Sequence, residues 1–193
     1  EFSFNFQNIN TSKPTTLTIH VGDVTFTNTS FAVAVNGAAT GTINLTHSSG
    51  SSTIELAHNE TNYTLSASQN YTIKLTYNNN NVPTSKGYLD FIKLKASSNL
   101  VGYGKQYRFQ YNDAIFQSGV VQYQFSNASG ITQIWDITDI YNVSKFENTN
   151  QSNFSFKANL GSTKKYIVVD QADYYTPLKD QTTTIANQNL KGT

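Results

Sequence analysis

The sequence predicts an all-β fold: an antiparallel β-sandwich or jelly-roll-like domain followed by a second, smaller β unit. Three observations carry the prediction. Apolar residues recur with period two in short runs, the spacing that places alternate side chains on one face of a strand. Asn, Gly and Ser, which favour turns, separate the runs at short intervals. No window sustains a helical period.

The elements follow in order. Leu17, Ile19 and Val21 share one face of a strand, with Thr16, Thr18 and His20 on the other. Phe31, Val33 and Val35 repeat the pattern before Asn36-Gly37, a dipeptide that readily takes positive φ in a hairpin turn. Ile43 and Leu45, then Ile54 and Leu56, form two short strands around a Ser48–Ser52 loop. Tyr71, Ile73, Leu75 and Tyr77 alternate with Thr72, Lys74 and Thr76 in the cleanest strand of the chain. Asn78 to Asn81 form a loop, and Pro83 ends strand pairing nearby. Tyr88 to Lys95 and Tyr103 to Tyr111 read as two longer strands.

Beyond Asn112-Asp113 the texture changes. Val121, Tyr123 and Phe125 alternate, Asn127 to Gly130 turns the chain, and Ile131 to Ile137 follows. Phe154, Phe156 and Ala158 precede a turn at Gly161. Tyr166-Ile167-Val168-Val169 is apolar without alternation, as in a strand covered on both faces. The expected organisation is a first domain over residues 1–112, a second β unit over 113–179 and a linker over 180–193.

The chain has 193 residues, enough to bury a sizeable core. Charged residues make up only 13%, and Asn, Ser, Thr and Gln supply the polarity. An aromatic content of 13% argues against disorder, because it provides surface to bury. A net charge of +1 gives no reason to expect nucleic acid or an acidic membrane surface. Lys164-Lys165 is the only adjacent basic pair. No stretch has the length of a membrane helix or the layout of a signal peptide. The absence of cysteine excludes a disulfide scaffold. Asn-x-Ser/Thr triplets at Asn28, Asn44, Asn62, Asn70, Asn127 and Asn142 follow from composition.

Candidate chemistry is sparse. His20, His47 and His58 lack the spacing of a metal site and read as surface or loop residues. No Gly-x-Ser-x-Gly turn presents a nucleophile, and no cofactor is expected. Asp136 with Asp139, and Asp170 with Asp173, read as turn formers rather than catalytic pairs. Tyr88, Tyr103, Tyr107 and Trp135 are the candidates for a sugar-stacking platform, against the plainer reading that they fill a β core. Trp135 alternates with Ile134, so one of the two faces away from the core and Trp135 is a candidate interface anchor. Asp136 is placed to accept hydrogen bonds from the following turn.

Several short blocks resemble, in order, the region upstream of the catalytic domain in gingipain-type cysteine peptidases of the PorU-like branch. Gly87-Tyr88-Leu89-Asp90-Phe91-Ile92-Lys93-Leu94 is similar to a Gly-Tyr-Leu-Asp-Tyr-Ile block of that family. Asn99-Leu100 and Tyr107-Arg108-Phe109 follow, and Ile134-Trp135-Asp136-Ile137-Thr138 resembles a Val-Trp-Asp-Val-Thr block. Asn187 to Gly192 is similar to the segment leading into the catalytic domain, while residues 1 to roughly 80 match in strand texture only.

The resemblance implies a non-catalytic region of a surface peptidase that trims sorting signals in type IX secretion. The catalytic Cys and His would lie downstream, so no residue here inherits a catalytic or metal-binding role. The implied partners are the downstream catalytic domain of the same polypeptide and outer-membrane secretion components. The implied location is extracytoplasmic, at the bacterial outer membrane or cell surface. The rival expectation is an independent carbohydrate-binding or adhesive module.

Overall fold

The structure is a computed structural model that describes residues 1–47, 56–149 and 151–178. Its strands are β1 (Phe2–Asn5), β2 (Thr15–Val24), β3 (Thr29–Val35), β4 (Ala38–Leu45), β5 (Leu56–Leu65), β6 (Asn70–Asn78) and β7 (Lys86–Lys95). They continue with β8 (Tyr107–Gln110), β9 (Val120–Phe125), β10 (Ile131–Asp136), β11 (Ser144–Glu147), β12 (Phe154–Asn159) and β13 (Lys165–Asp170). Two short 3-10 helices, Asn112–Phe116 and Gln171–Asp173, are the only helical segments among the described residues. The all-β expectation holds, and every ladder between these strands is antiparallel.

The chain divides into two compact units between Asn99 and Leu100. The first is a sandwich of two sheets, ordered β1-β6-β3-β4 and β5-β2-β7. Their facing residues form one core, with Leu17, Ile19 and Val21 of β2 against Phe31 and Val33 of β3, Ile43 and Leu45 of β4, and Tyr71 and Ile73 of β6. These are the residues that period-two alternation assigns to the inner face. The β3–β4 hairpin turns at Asn36 and Gly37, both at positive φ (51° and 81°), as a two-residue turn matching the strand twist requires. Asn36 also ties the turn to β6, since its side chain accepts from the Thr72 amide at 2.7 Å and donates to the Asn70 carbonyl at 3.2 Å.

The two ends of this unit are stitched together. Ile9 bridges Ser98, the Asn10 amide donates to the Ser97 carbonyl, and the Asn99 amide donates to the Asn8 carbonyl, both at 2.8 Å. Inside the core, the Tyr71 hydroxyl accepts from the Ser68 amide at 2.8 Å and reaches the Ser66 carbonyl and the Thr15 hydroxyl.

The second unit has a four-stranded sheet, β11-β10-β13-β8, and a two-stranded sheet, β12-β9. Its core is dominated by aromatic rings. Phe109 stacks on Tyr166 with centroids 5.1 Å apart, Phe146 stacks on Phe156 at 4.3 Å, and Tyr123, Phe125 and Phe154 fill the space between. Asn148 is buried and its amide lies within 2.9 Å of the Ala128 and Ile131 carbonyls, tying the segment after β11 to the turn that opens β10.

Two expectations shift. The Tyr103–Tyr111 stretch contributes a strand of only four residues, β8, and that strand pairs with β13 rather than with the first domain. The division therefore falls at residues 99/100 instead of 112/113, because hydrogen bonding, not the change in sequence texture, assigns β8 to the second unit. The Tyr166–Val169 run is a central strand between β10 and β8, as its continuous apolar character suggests. Ile54, the Ser48–Ser52 loop and the 180–193 linker lie outside the described residues.

Candidate functional site

On the outer face of β5-β2-β7 a single extra residue sets the chemistry. His20 pairs with Phe91 and Val21 with Leu89, which leaves Asp90 as the unpaired residue of a β-bulge in β7. Leu89 and Ile92 both pack on the core, three positions apart rather than two. With Leu89 and Ile92 both turned inward, Asp90 and Phe91 both lie on the outer face, and the carboxylate stands beside His20. Asp90 Oδ2 lies 2.8 Å from His20 Nδ1, and His20 Nε2 lies 3.2 Å from Nδ1 of His58 on β5. A carboxylate only accepts, so His20 donates from Nδ1, and in the neutral ring Nε2 then carries the lone pair.

These groups border a surface depression of about 380 Å³, whose other walls include Gly22, Leu56 and Tyr88. Tyr88 thus belongs to a polar–aromatic cluster whose other members lay outside the predicted ligand set. Strands that are neighbours in space but distant in sequence bring His20 and His58 together, a contact that sequence spacing does not show. The legible signal was the three-residue spacing of Leu89 and Ile92 around Asp90.

His47 departs from expectation as well. Its side chain is 5% exposed and its Nε2 lies 2.8 Å from Oδ1 of the fully buried Asp23. Thr29 donates its hydroxyl to the other carboxylate oxygen, and Asn28 Oδ1 accepts from the His47 amide at 2.8 Å. Asp23 is thereby hydrogen-bonded through both oxygens, which is how a buried carboxylate is accommodated. The arrangement is structural rather than a surface histidine.

In the second unit, Ile134 is fully buried and Trp135 is 40% exposed. The register aligns Lys145, Trp135, Ile167 and Arg108 in one row across four strands, on the face away from the aromatic core. Trp135 Nε1 donates to Gln133 Oε1 on the same face at 2.7 Å. Asp136 holds the end of β10. It accepts from the Thr138 amide at 3.0 Å and the Thr138 hydroxyl at 2.6 Å, and Lys164 Nζ lies 3.3 Å away. Burial opposes its charge, but the Thr138 hydrogen bonds and the Lys164 ammonium outweigh burial and hold the carboxyl below its ordinary value. Thr138 in turn accepts from the Lys165 amide, carrying the order to β13.

Tyr103 and Tyr107 stack on each other at 5.2 Å. Tyr107 is half-buried, its hydroxyl donates to the Val101 carbonyl, and burial first of all pushes that hydroxyl far above the ordinary tyrosine range. Tyr107 pairs with Val168 on the core-facing side, so it and Trp135 occupy opposite faces of one sheet. Tyr88 belongs to the first unit, and within the second the stacked Tyr103–Tyr107 pair and Trp135 do not share a face. Of the acidic pairs, Asp139 and Asp170 cap local turns, whereas Asp173 ties the segment before β8 to the end of the second unit. Asp139 accepts from the Tyr141 amide, Asp170 from Ala172, and Asp173 from Gln106 with Lys105 3.0 Å away.

No known protein-family profile matches the chain, and no curated protein matches it. Among solved structures, the crystal structure of dimeric latent PorU from Porphyromonas gingivalis superposes with a TM-score of 0.70 over 89% of this chain, at 12% identity. The chain has a PorU-like fold. It spans 18% of the length of that PorU chain.

Proposed function

We propose that this chain is a non-catalytic β region of a surface peptidase of the PorU-like, gingipain type, which supports and orients the protease domain or docks the enzyme to secretion partners. The observation that carries this reading is the superposition of nearly the whole chain on a minor part of PorU. Two further features support it. The chain contains no cysteine, so the thiol such a peptidase uses must come from elsewhere. The second unit leaves Phe116, Tyr141, Tyr175 and Leu178 almost wholly exposed besides Trp135, apolar side chains that a further domain can cover. On this reading the protein is extracytoplasmic, at the outer membrane or cell surface, and a catalytic domain of the same polypeptide covers part of that surface.

The test is to sequence the gene beyond Thr193 and, where an α/β domain with catalytic His and Cys follows, to melt that domain with and without this region. A higher melting temperature and faster cleavage of sorting-signal peptides in its presence support the reading. Further β repeats or a cell-wall anchor downstream, or a protease domain indifferent to this region, overturn it.

A further inference from the structure

The geometry points to a divalent transition-metal site formed by His20 and His58, with Asp90 as the residue that positions His20. Two nitrogens each about 2.0–2.1 Å from one ion, at angles from square to tetrahedral, stand about 2.9–3.4 Å apart. His20 Nε2 and His58 Nδ1 are 3.2 Å apart, inside that window. The separation also suits a hydrogen bond, so the surrounding groups decide the matter.

Three of them favour an ion. The Asp90 hydrogen bond fixes the proton of His20 on Nδ1, leaving Nε2 as a lone pair, and a carboxylate behind an imidazole is the usual orienting group of a metal-bound histidine. The β-bulge exists at this one position of β7 and delivers the carboxylate there. His58 is exposed and its Nδ1 stands 3.2 Å from His20 Nε2, so a shared ion would take the Nδ1 lone pair. Its proton then resides on its other nitrogen, so the neutral ring loses no charge on binding.

Among the described residues no group of three or more His, Cys, Asp or Glu side chains is placed to hold an ion, so Asp90 is not counted as a ligand. The site is therefore open, with two protein nitrogens and the remaining positions held by water in the depression beside Tyr88 and Leu56. Imidazole ligands and an incomplete shell select Cu2+, Ni2+ or Zn2+ over Mg2+ or Ca2+, which demand oxygen.

The experiment is calorimetric titration of the whole chain with Zn2+ and separately with Cu2+, alongside His58→Gln, His20→Gln and Asp90→Asn. All three alter partly or largely exposed side chains, and circular dichroism checks the fold of each. The wild type should bind one ion saturably, with the ring resonances of His20 and His58 moving together in NMR spectra. Either glutamine variant should lose saturable binding, and Asp90→Asn should weaken it about 10–100-fold. Should His20→Gln fail to fold, His58→Gln together with the NMR shifts decides the question. No saturable binding by the wild type, or equal binding by folded His58→Gln, overturns the assignment and leaves the pair a hydrogen bond.

Discussion

Tyr166 and Phe109 stack with ring centroids 5.1 Å apart, and the buried Tyr166 hydroxyl has no hydrogen-bond partner among the described residues. An unsatisfied buried hydroxyl costs about 1–3 kcal/mol in lost hydration. Tyr166→Phe keeps the ring and removes that cost. It should leave stability unchanged or raise it by about 1 kcal/mol, read as a higher denaturant midpoint at constant slope. A loss of more than that would mean that the hydroxyl is paired.

The same burial makes the protein sensitive to alkali. Burial is the leading cause that raises both Tyr107 and Tyr166 above the ordinary tyrosine value of 10.0. A raised folded-state value means that the native state holds its proton longer than the unfolded chain. Their contribution is complete below about pH 10 and is lost as pH climbs from there towards the folded values. Thermal melts from pH 8 to 11.5 should show a decline above pH 10, and Tyr166→Phe should blunt it. A flat profile would contradict the burial of both hydroxyls.

Asp136 works at the other end of the scale. Its folded value is lowered from 3.8, so its contribution is present above that pH and disappears as pH falls through the folded value. Asp136→Asn should cost about 1 kcal/mol at neutral pH, and the gap between variant and wild type should close below pH 3.8. A gap that persists into strong acid would assign the loss to packing instead.

Trp135 and Ile134 should separate cleanly on substitution. Ile134→Ala empties a fully buried site and should cost about 2–5 kcal/mol. Trp135→Ala, on the outer face, should cost less than about 1 kcal/mol in this chain yet weaken docking of a following protease domain. A core-sized loss in the chain itself would remove Trp135 from the interface.

Gly102 has no room for a side chain. A Cβ there would stand 2.2 Å from the Asn127 carbonyl oxygen, a backbone atom that cannot swing aside. Gly102→Ala should destabilise by about 1–3 kcal/mol, whereas Gly37→Ala, with open space around it, should suffer only the strain of its positive φ. Equal melting of wild type and Gly102→Ala would show that the Asn127 turn yields easily.

Alternation was legible wherever a strand kept strict period two. Leu17 to Val21, Phe31 to Val35 and Tyr71 to Tyr77 all deliver their inner residues to the core. It failed where pairing, not pattern, decides. Tyr107 to Gln110 reads the same whichever sheet it joins, and only the ladder to β13 assigns it. The short edge strands β1 and β11 bury little, so their sequences carry no strong period. The histidines were opaque for a related reason. His20 and His58 meet across strands 38 residues apart, and His47 finds Asp23 from 24 residues away. Trp135 and Asp136 were readable because their partners are local: alternation turns Trp135 outward, and Thr138 is two residues beyond Asp136.

The pairing of residues 8–10 with 97–99 has a mechanical consequence. Tension entering at the N-terminus and leaving towards residue 100 first loads the ladder between β1 and β6, where Phe2 to Asn5 pair with Ile73 to Asn70, and then this antiparallel stitch. While the stitch holds, the pull is not carried along the backbone from residue 11 to residue 96, and the sandwich feels it only sideways, through β1 on β6. Residues 11–96 therefore form a loop with neighbouring ends, whose strands can be drawn out along the chain only after β1 and the stitch have given way.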